Sequence, residues 1–123
     1  MTARVLLVDD QPDHVEMYRL ALEHAGFTVI EAETGAAGID RAGDSTPDVV
    51  VLDIRLPDMT GWDVCRALKA NAATTGIPII ILTAAASKTL AQEAEEHGCV
   101  AHLLKPCYPN TLIDTIRRVL AEV

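Results

Sequence analysis

The sequence predicts an α/β fold, a doubly wound five-stranded parallel sheet with five helices on its two faces. Three observations carry that prediction. Strand-like and helix-like segments alternate five times along the chain. The strand-like runs Val5-Leu6-Leu7-Val8, Val49-Val50-Val51-Leu52 and Ile79-Ile80-Ile81-Leu82 are continuously apolar, and Val100 to Leu104 is apolar but for His102, the pattern of strands buried on both faces. Each returns through a helix, and such parallel connections cross over with right-handed geometry.

The first strand covers about Arg4 to Asp9. The first helix starts at Pro12, a good first-turn residue, with Asp13 and Glu16 near its positive end. Its inward stripe is Val15, Tyr18 or Arg19, Leu22 and Ala25, and Gly26 closes it. The second strand is Phe27 to Ala32, and a short Ala/Gly-rich helix follows from Thr34-Gly35 to about Ala42. The third strand is Asp48 to Asp53. Beyond a loop containing Pro57 and Gly61, the third helix runs from about Trp62 to Ala70 with Thr60 as N-cap. The fourth strand is Ile77 to Thr83, and the fourth helix spans from near Ser87 to His97-Gly98. The fifth strand is Val100 to Leu104. The fifth helix runs from Pro109 to the end, with Leu112, Ile113, Ile116, Val119 and Leu120 as its apolar face.

A chain of 123 residues suits one domain with one core, here residues 1–123 without an internal linker. Half its residues are hydrophobic but only four are aromatic, so the core must be aliphatic. A net charge of −8 argues against direct nucleic-acid binding. The longest uncharged apolar stretch, Gly76 to Ala86, falls far short of the ~20 residues of a membrane span. The N-terminus shows no signal peptide, and Cys65, Cys99 and Cys107 show no CxxC spacing. They read as reduced cytoplasmic thiols packed as small hydrophobes, with Cys107 exposed, rather than as a disulfide frame or zinc site.

In an open parallel sheet, ligands bind outside the carboxyl ends of the strands. The strand ends here deliver Asp9, Asp10, Asp53, Thr83 and Lys105 to that rim. Two like charges that close repel unless a cation sits between them, and clustered carboxylate oxygens suit Mg²⁺ or Mn²⁺. A single strand-end Asp is usually a cap or turn former. Three at the ends of two buried strands read instead as a metal site. Asp is a nucleophile in phosphoryl transfer, and Asp53 is the best candidate because it has no adjacent acid. Lys105 can neutralise one phosphoryl oxygen and the Thr83 hydroxyl can donate to another. The plainer alternatives are a cap of the fourth helix for Thr83 and a solvated loop lysine for Lys105.

The set Asp9-Asp10, Asp53-Ile54-Arg55-Leu56-Pro57-Asp58-Met59-Thr60-Gly61, Thr83-Ala84 and Lys105-Pro106 resembles the receiver domain of two-component response regulators. The likeness extends from about Arg4 to Leu120. It implies a flavodoxin-like fold with strand order 2-1-3-4-5. It also implies that Asp53 accepts a phosphoryl group from the phosphohistidine of a sensor histidine kinase or histidine phosphotransfer protein. Asp10, Asp53 and the Arg55 backbone carbonyl would bind Mg²⁺ (Mn²⁺ can substitute), Asp9 acting directly or through water. Thr83 and Lys105 would contact phosphoryl oxygens, and the Lys105-Pro106 bond would be cis. The resemblance implies a regulatory phosphoacceptor rather than an enzyme, signalling to an effector through the face formed by the fourth helix, fifth strand and fifth helix.

In receivers, the Thr at position 83 moves toward the phosphoryl group and an aromatic in the fifth strand rotates inward behind it. That position is His102 here, which predicts weaker or pH-sensitive coupling because histidine titrates near neutral pH. The plainer reading of His102 is a half-exposed edge residue. The resemblance implies two tunable positions flanking the site, here Arg55 and Ala85; neither can position an attacking water, which predicts a long-lived phosphoryl group. Trp62 reads as packing on the third helix, and Glu93, Glu95 and Glu96 with Lys88 as a solvated face of the fourth. An Asp-nucleophile phosphatase would want an acid where Arg55 stands, and a flavin carrier would want a hydroxyl- and glycine-rich loop where Asp9-Asp10-Gln11-Pro12 stands. A pseudo-receiver that only binds partners would not need the complete set. The chain reads as a stand-alone receiver or as one domain of a longer regulator or hybrid kinase.

Overall fold

The computed structural model describes residues 2–85 and 87–122. Strands β1 (Arg4–Val8), β2 (Thr28–Ala32), β3 (Val49–Leu52), β4 (Ile79–Thr83) and β5 (Ala101–Leu104) form one parallel sheet in the order β2-β1-β3-β4-β5. Helices α1 (Pro12–His24), α2 (Gly35–Ser45), α3 (Gly61–Ala70), α4 (Leu90–Glu96) and α5 (Pro109–Ala121) connect and complete it. The flavodoxin-like order is thus the one the resemblance implies.

The period-two alternation of a strand sends neighbouring side chains to opposite faces, so each central strand feeds two cores. Val5 and Leu7 of β1 pack with Val15, Tyr18 and Leu22 of α1 and with Leu112 and Ile116 of α5. Leu6 and Val8 pack on the other face with Ala42 of α2, Val64 and Leu68 of α3, and Leu90 and Ala94 of α4. This explains the unbroken apolar runs of β1, β3 and β4. Of the two candidates on α1, Tyr18 is the core residue; Arg19 lies outside, paired with Glu23 and Glu31.

Several expectations need correcting. The fifth run is not buried on both faces: β5 alternates, with Val100 52% and Leu104 49% exposed. It lies at the sheet edge, where β4 is its one strand neighbour among the described residues. The α4 helix starts at Leu90 rather than near Ser87, behind a turn in which the Thr89 hydroxyl donates to Glu93. The α2 helix runs on to Ser45 before Thr46 ends it in a left-handed conformation. Val123, included in the last helix by the sequence reading, lies outside the described residues. Gly26 closes α1 at φ +100, as its position predicts. Among the described residues, no helix is long and apolar enough to cross a membrane.

Candidate functional site

The carboxyl ends of β1, β3, β4 and β5 converge on Asp53. The Thr83 hydroxyl, fully buried, donates to Asp53 Oδ1 at 2.8 Å, and the Arg55 backbone N–H approaches the same oxygen at 3.3 Å. Lys105 Nζ lies 3.1 Å from Asp53 Oδ2 and 2.5 Å from Asp9 Oδ2. Asp9 is in turn oriented by the Gln11 N–H on its Oδ1 at 2.9 Å. The Lys105 side chain is only 4% exposed. Burial works against its ammonium, but the hydrogen bond to Asp9 and the charges of Asp53 and Asp9 outweigh it and hold Lys105 above the ordinary lysine value. A solvated loop lysine is therefore excluded, and Thr83 faces the site, well before α4 begins.

Asp9, Asp10 and Asp53 each offer a carboxylate oxygen, all within 4.8 Å of one another. Asp9 and Asp53 are buried and Asp10 is exposed. One ammonium faces three carboxylates, so the cluster retains negative charge, and its donors are hard oxygens. Both features fit a divalent cation such as Mg²⁺.

The loop after β3 is shaped by its own sequence. It doubles back so tightly that the Gly61 N–H donates to the Ile54 carbonyl at 2.7 Å. A Cβ at position 61 would stand 2.5 Å from the Asp53 carbonyl oxygen and 2.8 Å from Ile54 Cα. Only glycine fits there without moving the backbone of Asp53. Thr60 then starts α3 with a capping box, its hydroxyl accepting from the Asp63 N–H while Asp63 accepts from the Thr60 N–H. Midway along the loop, Asp58 accepts from the Gly35 and Ala36 N–H groups at 2.8 and 2.9 Å. These donors, Ala36 first, hold the Asp58 carboxyl below its usual value.

Residues 5–117 match the response regulator receiver domain family. The chain belongs to that family. Protein PilH of Pseudomonas aeruginosa is 40% identical to this receiver over 121 residues, which are 97% of this chain and 98% of PilH. The polar-differentiation response regulator DivK of Brucella ovis is 31% identical over 122 residues, 99% of each chain. Among solved structures, the chemotaxis response regulator CheY4 of Vibrio cholerae superposes with a TM-score of 0.90 at 33% identity, covering 97% of this chain and 99% of that one. A CheY-like receiver domain protein from Methanospirillum hungatei JF-1 gives 0.91 at 28% identity, covering 99% and 96%.

In this receiver the Lys105-Pro106 bond is cis. Asp9, Asp10, Asp53, Thr83 and Lys105 come together, with the Arg55 amide beside them. His102 does not: it lies exposed on β5, in register with Ile81. Ala85 donates its N–H to Thr83 Oγ1 at 3.0 Å, and the Arg55 side chain is exposed. Trp62 stacks on the His97 ring with centroids 4.7 Å apart. Sequence reasoning missed the anchoring role of Asp58, which no local pattern signals. It also missed the Tyr18 hydroxyl, which donates to the Cys107 carbonyl at 2.9 Å and ties α1 to the loop after Lys105-Pro106.

Proposed function

We propose that this receiver is the phosphoacceptor of a two-component system, taking a phosphoryl group onto Asp53 from the phosphohistidine of a sensor histidine kinase or histidine phosphotransfer protein in a Mg²⁺-dependent reaction. The observation that carries this reading is the convergence of the Thr83 hydroxyl, the Lys105 ammonium and the Arg55 amide on one buried carboxylate. An Asp53 oxygen forms the new O–P bond as the donor's P–N bond breaks. The Thr83 hydroxyl and Lys105 ammonium then pass from carboxylate oxygens to phosphoryl oxygens, so charge is met by groups already in place. Asp9, Asp10, Asp53 and the Arg55 backbone carbonyl would hold Mg²⁺ or Mn²⁺, which when bound neutralises phosphoryl charge. The protein assists only its own phosphorylation and dephosphorylation, in the cytoplasm.

A groove of about 550 Å³, lined by His14, Met17, Ala84, Pro106 and Tyr108 among others, opens beside Lys105 and offers a docking surface to the donor. The output runs through α4, β5 and α5 to an effector protein or domain. Thr83 and His102 form the switch, and because His102 starts exposed, turning it inward requires stripping water from its ring. His102→Tyr should therefore strengthen the coupling of phosphorylation to partner binding; unchanged binding in both phosphorylation states would count against it. Of the two residues beside the site, Ala85 has no group to position an attacking water and Arg55 has no acceptor. The phosphoryl group should be long-lived, and decay within seconds at neutral pH would contradict that.

The test is intact mass spectrometry after incubation with acetyl phosphate and Mg²⁺. One phosphoryl adduct, lost on chelation and absent in Asp53→Ala, is the expected result. No adduct on a folded, Mg²⁺-binding protein would leave a receiver that only binds partners.

A further inference from the structure

We propose that Cys65 and Cys99 form a reversible dithiol–disulfide site, oxidised by a hydroperoxide such as hydrogen peroxide, which latches α3 to the corner joining α4 and β5. The two thiols stand 34 residues apart in sequence, yet their Sγ atoms lie 3.6 Å apart. Closing to the ~2.05 Å of a disulfide bond needs a movement of roughly 1.5 Å, within reach of side-chain rotation in a corner loop. Cys65 is fully buried on α3, whereas Cys99 is partly exposed in the loop leaving α4.

That difference assigns the roles. Either thiol can donate in the Sγ–Sγ contact; that contact and the nearby Lys69 ammonium draw the Cys99 value down against the opposing effect of burial, and the partial exposure of Cys99 leaves it the thiol an oxidant meets. The same contact, together with burial, pushes Cys65 up. Cys99 is therefore the attacking thiol and Cys65 the resolving one. A small oxidant reaches Cys99 through that residue's own partial exposure, while a pocket of about 310 Å³ bordered by Cys65, Lys69, His97 and Gly98 opens on the other thiol of the pair.

The Cys99 thiolate attacks one peroxide oxygen, the O–O bond breaks, and the departing hydroxide takes a proton to become water. Cys99 is left as a sulfenic acid. Cys65 Sγ then attacks Cys99 Sγ, forming the S–S bond as the S–O bond breaks. The leaving hydroxide takes the Cys65 proton as a second water. Two thiols are oxidised and one peroxide is reduced to two waters. A dithiol reductant reverses the reaction by thiol–disulfide exchange.

The link would add a covalent tie to a corner already held by the Trp62–His97 stack and a 3.2 Å contact between Arg66 Nη1 and His97 Nε2. Cys107, on the far side of the sheet with α1 and α5, has no thiol partner among the described residues and serves as the internal control. Its value is pushed up by burial, which keeps it protonated and slow to react.

The experiment treats the protein with hydrogen peroxide, alkylates free thiols with N-ethylmaleimide after unfolding, and maps the peptides. The expected product is a Cys65–Cys99 linked peptide that dithiothreitol releases, with Cys107 still alkylated. Cys99→Ser should abolish oxidation of Cys65, whereas Cys65→Ser should leave Cys99 oxidised without a link. The oxidised wild type should also unfold at a higher temperature than the reduced form, a shift absent from Cys65→Ser. Cross-links through Cys107, or Cys65 and Cys99 both alkylated after peroxide treatment, would overturn the site. A linked protein with no rise in unfolding temperature would overturn the latch.

Discussion

Strands β3 and β5 each deliver one residue to the site, and they do so by opposite means. β3 is hydrogen-bonded on both sides and buried at every position, so packing alone fixes the place of Asp53 at its end. β5 is an edge strand, half open to solvent, yet the Lys105 it carries is as buried as Asp53. The Lys105 backbone N–H donates to the Thr83 carbonyl at 2.9 Å, and its ammonium is held by the two carboxylates at 2.5 and 3.1 Å. The chemistry therefore rests on a centre packed on both faces, while the edge strand, paired with β4 and packed on one face, adds a charge contact at its end. An edge held this way can respond when the charge at Asp53 changes, as the addition of a phosphoryl group would make it do.

The sharpest test of the centre is Asp53→Asn, which keeps an acceptor for Thr83 but removes the nucleophile. Acetyl phosphate with Mg²⁺ should then give no adduct at all by intact mass. The contrast between strands is tested next by paired truncations in urea unfolding. Leu52→Ala in β3 should cost about 2–5 kcal/mol, the range for a fully buried leucine. Leu104→Ala, about half exposed, should cost under about 1 kcal/mol. Equal losses would show that the edge is packed as firmly as the centre.

A smaller effect is expected from Gly61→Ala, because its new Cβ meets the backbone of Asp53 and Ile54 rather than a side chain that can turn away. Overpacking of this kind costs typically about 1–3 kcal/mol, and the displaced Asp53 should also accept phosphate more slowly. Asp10→Asn should instead stabilise the metal-free protein by about 1 kcal/mol, the scale of like charges a few ångströms apart in a partly solvated site. The rise in melting temperature on adding Mg²⁺ to the wild type should disappear in the same variant. A variant that kept that shift would remove Asp10 from the metal site.

These expectations draw on residues of unequal legibility. Asp9, Asp53, Thr83 and Lys105 stand out in the sequence because each interrupts an apolar run at a strand end, where a polar residue has no packing role. The sheet class followed from the same runs, since burial on two faces leaves no polar alternation. The edge position of β5 was only partly legible: His102 in its middle reads as a half-exposed edge residue, but the apolar Val100 and Leu104 beside it gave no sign that they would be about half exposed. Contacts made across the fold left no trace either. Cys65 meets Cys99, and Asp58 meets Gly35 and Ala36, through topology rather than through any local spacing.

Asp58 gives the finest test of how the site loop is fastened to its surroundings. Its carboxyl value is depressed in the fold by the Ala36 and Gly35 N–H groups at the start of α2. A depressed carboxyl contributes stability that is fully present above the unfolded value, about 3.9, and is lost as pH falls through the lower folded value. Asp58→Asn keeps an oxygen acceptor but not the charge. Its melting temperature should therefore lie slightly below wild type at neutral pH, and the gap should close as pH falls below about 4. Asp63, depressed by the Thr60 amide and hydroxyl, titrates in the same acid window but is unchanged in both proteins, so it cancels from the comparison. A gap that stayed constant down to acid pH would mean that the loop is held to α2 by shape, with Met59 seated over Gly35, rather than by the Asp58 charge.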